Sequence, residues 1–158
     1  MTVTNRTRDQ ELAKYAADCI ARVGTEQKDI ARVGTEQKEF KSLVRNFPAM
    51  IMTSGLGQAL AFLKAKNEKQ HEDLCESVSK HEDPHKGLYE SVSKHEGPHK
   101  DLYKFVSEWV SEKIYAKKTG DVLPLIIESD SLHYRQALQE TMDLATWLKR
   151  FAEAQFSD

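Results

Sequence analysis

The stretch FKSLVRNFPAMIMTSGLGQALAFLKAK, Phe40 to Lys66, decides the fold. Phe40, Leu43, Val44 and Phe47 recur at the three- and four-residue spacing that lines up one face of a helix. Pro48 lacks a backbone donor, so the pattern predicts that this helix ends or kinks there. Ser54 is a capping residue type placed just ahead of Leu56, Leu60 and Leu63, a second helical stripe. Gly55 and Gly57 read as a tight connection between the two. They make no dinucleotide-binding loop, because no strand precedes them and a third Gly is missing.

Outward from this block the same period continues. Leu12, Tyr15, Ala16, Cys19, Ile20 and Val23 form one amphipathic stripe, and Leu102, Phe105, Val106, Trp109, Val110 and Ile114 form another that stops before Gly120. Pro124 is placed to open a short element through Ile127. A last helix runs from about Ser131 to Phe156. Its apolar residues fall on two faces: Leu138, Met142, Ala145 and Leu148, then Leu144, Trp147 and Phe151. Such a helix touches several neighbours and belongs at the centre. No run alternates with period two. The expectation is an all-α fold, a compact bundle of about five or six helices, in a single domain over residues 1–158.

Composition agrees. The chain is 39% hydrophobic and 30% charged with seven Gly and four Pro, which suits a helical globular protein and not a disordered one. The N-terminus is polar, with no apolar signal region. The longest uncharged run, Phe47 to Leu63, is broken by Pro48, Gly55 and Gly57 and is too short to span a bilayer. Cys19 and Cys75 form no C-x-x-C pair. Reduced, buried thiols in a cytoplasmic protein are the reading.

Two tandem duplications interrupt the pattern. IARVGTEQK stands at Ile20 to Lys28 and again at Ile30 to Lys38; ESVSKHEDPHKGLY, Glu76 to Tyr89, returns as ESVSKHEGPHKDLY, Glu90 to Tyr103. They span 20–38 and 76–103 and are read as local length insertions, not as solenoid repeats. At roughly 100° per residue a shift of ten turns the helix face by about 80°. The first pair therefore cannot share one straight helix, and Gly24 and Gly34 are expected to end or bend helical segments.

The second duplication holds HEDPH (His81 to His85) and HEGPH (His95 to His99), literal matches to the zinc-protease pattern H-E-x-x-H. That chemistry needs both His on one face of an unbroken helix. Pro84 and Pro98 forbid it and belong in a first helical turn, with Asp83 or Gly97 as N-cap. The pattern is present without its physics. No nucleophile–base arrangement stands out either, so no catalytic residue, metal site or cofactor is expected.

Net charge is −2, so any anion-binding surface must be local. From Glu39 to Gln70, five cations (Lys41, Arg45, Lys64, Lys66, Lys69) face two carboxylates (Glu39, Glu68), a local excess of three. Lys149 and Arg150 make a second small basic pair. Such side chains hold phosphates without reading bases, or simply form a solvated helix face. Trp109, Trp147, Phe105 and Phe151 sit at core spacing, which favours packing over base stacking.

With one copy of each duplication set aside, Phe40 to Lys66 resembles the diagnostic block of the small subunit of type III-B CRISPR effector complexes, the Cmr complexes. Ser129 to Ala154, with Tyr134-Arg135, Trp147 to Arg150 and Phe151 to Ala154, is similar to that family's C-terminal helix; Asp101 to Val110 is similar to its intervening helix. The resemblance implies a non-catalytic helical bundle whose partners are other Cmr subunits, further copies of itself in a minor filament, and guide RNA paired with target RNA. No membrane is involved. Lys41, Arg45, Lys64, Lys66, Lys149 and Arg150 are then the candidate RNA-binding residues. The alternative from the residues alone is a helical protein–protein adaptor without RNA contact.

Overall fold

The computed structural model describes residues 6–25, 30–66, 97–118 and 120–156. Within them the chain forms α1 (Arg8–Thr25), α2 (Ile30–Ser54), α3 (56–66), α4 (Pro98–Lys113), α5 (Val122–Glu128) and α6 (Ser131–Gln155). No strand occurs among the described residues. The fold is all-α, as the periodicity predicts, and no helix among these residues is long and apolar enough to cross a membrane.

The core is the sum of the stripes. Leu12, Ala16, Cys19 and Ile20 of α1, Phe40, Val44, Phe47 and Ile51 of α2, and Leu56, Leu60 and Leu63 of α3 are all buried. Leu102, Val106 and Val110 of α4 and Val122 of α5 close over them. Helix α6 packs against α1, α2, α4 and α5. It buries Ala137, Leu144, Ala145, Leu148 and Ala152, while Leu138 and Met142 on one flank and Trp147 and Phe151 on the other pack half-buried against the core. It is the multiply contacted central helix its sequence implies.

Pro48 does not end α2. The helix runs through it to Ser54, 25 residues in all. An interior Pro costs about 3 kcal/mol. Phe47 and Ile51, on either side, are fully buried in the same core, and each such side chain contributes about 1.5–3 kcal/mol. Burial outweighs the lost backbone bond.

Ser54 does not cap α3 either; it is the last residue of α2. Gly55 does both jobs. Its N–H donates to the Ile51 carbonyl at 2.8 Å, and its own carbonyl accepts from the Ala59 N–H at 3.1 Å. Its φ of +85° is a left-handed conformation open to glycine at little cost. The described part of the first IARVGTEQK copy, residues 20–25, ends α1, and the second copy opens α2. Gly24 stands one residue before the end of α1, but Gly34 is carried inside α2 without ending it. Exposed at that position, it forgoes about 0.5–1 kcal/mol relative to Ala, a cost the buried stripe beyond it absorbs.

The helix starts are chemically explicit. Gly97 is the extended N-cap of α4, with Pro98 at its first position. His99 lies on this helix, whose first residue is Pro98, and His95 lies outside the described residues. The first match, His81 to His85, lies outside the described residues. Asp121 caps α5, accepting from the Leu123 N–H, and Pro124 falls in the first turn, where no donor is needed. Asp130 caps α6, accepting from the His133 N–H at 2.8 Å and from the His133 ring at 2.8 Å. That backbone bond, followed by the ring contact, holds the Asp130 carboxyl below its usual range.

Candidate nucleic-acid interface

The candidate cations separate into three physical classes. Lys41 is buried at 7% exposure, and its Nζ donates to the Phe156 carbonyl at 2.9 Å. That carbonyl is at the C-terminal end of α6, where the helix dipole favours a cation. Lys41 thus ties the middle of α2 to the end of α6.

Arg45 and Lys64 are ion-paired on the surface. Arg45, one turn beyond Lys41, reaches Glu153 at 3.2 Å with both side chains well exposed. Lys64 pairs with Asp121, which also accepts from the Tyr103 hydroxyl. A pair this exposed stabilises by about 0–1 kcal/mol. Each such cation can exchange its carboxylate for a phosphate at modest cost.

Lys66, Lys149 and Arg150 hold no ion pair among the described residues. Lys66 is exposed at the end of α3, with its Nζ 5.8 Å from the Phe62 ring centroid. Beside it, burial first and the Lys66 charge second hold the His99 imidazole below its usual range. Lys149 is half-buried and Arg150 exposed near the C-terminal end of α6.

The structure therefore brings Lys41, Arg45 and Lys149 to the α2–α6 side of the bundle, and turns Arg150 to the α1–α6 side, beside Asp9 and Asp143. Lys64 and Lys66 lie beside α4 and α5, among Tyr103, Asp121 and His99. Glu153 and Asp121, the partners that tune these cations, lie 108 and 57 residues away in sequence. No local spacing signals them. Lys117 and Lys118, exposed after α4, flank no uncharged block and are missed by the same rule. Their adjacency is the only signal in the sequence.

A family model described as CRISPR-associated protein (Cas_Cmr5) matches residues 8–155, from the first residue of α1 to the last of α6. The chain belongs to the Cas_Cmr5 family. The resemblance carried by Phe40 to Lys66 and Ser129 to Ala154 lies wholly inside that match. A CRISPR-associated Cmr5 family protein from Thermus thermophilus, known from its crystal structure, is similar with a TM-score of 0.62. The two are 20% identical, over 96% of this chain and 100% of that one. At that identity the likeness is one of fold. No curated protein matches. Membership in the Cas_Cmr5 family makes this helical bundle a CRISPR-associated protein.

Proposed function

We propose that the chain is the non-catalytic small subunit of a type III-B effector complex in the cytoplasm. Copies of it stack into a minor filament beside the other Cmr subunits and line the groove holding guide RNA paired with target RNA. The observation that carries this is the family match over residues 8–155, joined to surface cations that hold no ion pair among the described residues at Lys66, Lys149 and Arg150. They are supported by Arg45 and Lys64. Long cationic side chains grip phosphates whatever the sequence, which a groove open to any guide requires.

Assembly, not catalysis, is the role these side chains suit. Burial pushes the Cys19 thiol up to about 12, which makes it a poor nucleophile at neutral pH. The helix that carries His99 begins at Pro98 and so does not extend back to His95. The adaptor reading draws on the carboxylates already held by Arg45 and Lys64.

Native mass spectrometry of the complex purified through a tag on this chain separates the two readings. The expected species contains several copies of the chain, other Cmr subunits and RNA. An assembly whose mass is unchanged by nuclease, with no RNA at any stage, supports the adaptor.

A further inference from the structure

The four aromatic residues at core spacing do not share one fate. Phe105 and Trp109 are buried, at 3% and 6% exposure. Trp147 and Phe151 remain half-buried on α6, their rings 5.4 Å apart and nearly parallel at 21°. Trp147 also walls a surface cleft of about 360 Å³ between α1 and α6, with Asp9, Asp143, Thr146 and Arg150. Phe151 is not part of that wall, so the indole surface left to the cleft is not the one Phe151 covers.

The walls are held in place. The Trp147 Nε1–H donates to Asp9 Oδ1 at 3.0 Å, fixing the indole edge to the first turn of α1. Asp143 accepts from Arg8 at 2.8 Å and from the Gln139 amide at 2.9 Å. A carboxylate offers about four lone-pair sites, so both acids retain acceptor capacity. The Thr146 hydroxyl is turned to the Met142 carbonyl, which leaves its methyl as the contact it can offer.

Charge decides what such a cleft admits. Asp9 and Asp143 offset Arg150 and the Arg8 that pairs with Asp143, so the cleft has no excess positive charge to hold a bare phosphate. A neutral, flat ring with N–H donors fits: it stacks on the indole and donates to the acids, while a phosphate attached to it reaches Arg150 at the rim. We infer that the Trp147 cleft binds one unpaired nucleobase of an RNA strand, and prefers guanine. Guanine presents adjacent N1–H and N2–H donors that match a carboxylate's two oxygens. Uracil has one N–H flanked by two carbonyl oxygens, which the acids repel. The inference rests on the RNA-groove reading and adds a base contact to a phosphate-holding surface.

The test uses the purified full chain and its own fluorescence. Trp147 and Trp109 are the only tryptophans, and Trp109 is shielded, so quenching by a ligand reports Trp147. Titrations with GMP, UMP and ribose 5-phosphate are compared, with calorimetry in parallel. GMP should quench saturably, UMP should need a higher concentration, and ribose 5-phosphate should not quench. Trp147→Ala should weaken GMP binding by about tenfold, within the range for base–aromatic stacking. Trp147→Phe keeps a ring for packing and should lose the quench while retaining part of the affinity. Equal responses to GMP and ribose 5-phosphate, or no saturable quench, overturn the inference without needing any variant. Salt-sensitive RNA binding by the complex with Trp147 unresponsive rejects the base site alone. A wild-type complex that binds no RNA at any salt concentration rejects the groove reading with it.

Discussion

Lys41 shows how far a residue's type underdetermines its role. In the sequence it is one of five cations beside an uncharged block; in the fold its ammonium satisfies the Phe156 carbonyl in a buried setting. Lys41→Met keeps the stem but orphans that carbonyl, and should cost about 1–3 kcal/mol. Urea unfolding of the purified chain measures this. RNA affinity of the complex at permissive temperature should be unchanged, whereas a loss of affinity at unchanged stability would return Lys41 to the groove. Cys19 makes the opposite point, since its stripe position foretold its burial. Desolvation raises both the Cys19 thiol, to about 12, and the Tyr15 phenol. A raised folded-state pKa means the folded chain keeps a proton that the unfolded chain releases. Stability is therefore full below the unfolded thiol value of about 8.5 and falls as pH rises toward 12. In the folded protein at about pH 8, Cys19 should resist iodoacetamide and react only after denaturation, as peptide mass mapping can check. Prompt labelling at Cys19 would show an open α1–α4 seam.

Elements were legible where burial repeats at the helical period, and illegible where one backbone atom decides. The stripes of α1, α4 and α6 stand in the sequence because each buries one face of regular spacing. The passage of α2 through Pro48 does not, because it depends on Phe47 and Ile51 reaching the same distant core. The α2–α3 junction was readable as a glycine turn, but the cap was misplaced by one residue. A serine hydroxyl is a visible signal and a positive φ is not. Two substitutions test the junction. Gly55→Ala forces a side chain into φ +85°, although its Cβ would meet only the Tyr134 hydroxyl at an ordinary 3.7 Å. Strain and not contact sets the cost, about 1–2 kcal/mol. Gly57→Ala, in open space within α3, should stabilise by about 0.4–1 kcal/mol. Thermal melts that shift in opposite directions support the assignment; parallel shifts contradict it.

At the scale of the molecule, a chain of net charge −2 keeps its candidate phosphate-holding cations apart from its core contacts, Lys41 excepted. The pairing of the candidate cations was only partly legible, because pairing is a long-range property. Glu153 and Asp121 reach Arg45 and Lys64 through the fold, and nothing near those cations in sequence marks them as engaged. The set without ion pairs among the described residues, Lys66, Lys149 and Arg150, was nameable but not distinguishable. Its neutralisation in Lys66→Gln, Lys149→Gln and Arg150→Gln breaks no ion pair among the described residues, so the fold should survive intact. The most direct measurement is the affinity of the assembled complex for single-stranded target RNA across a salt series, wild type against this triple variant. Each phosphate that no longer meets a cation should flatten the log-affinity against log-salt slope by roughly 0.7. Three true phosphate partners flatten it by about 2, alike for unrelated target sequences with matched guides. A correctly assembled variant whose slope equals that of wild type would contradict the RNA-groove role and leave these cations as a solvated face.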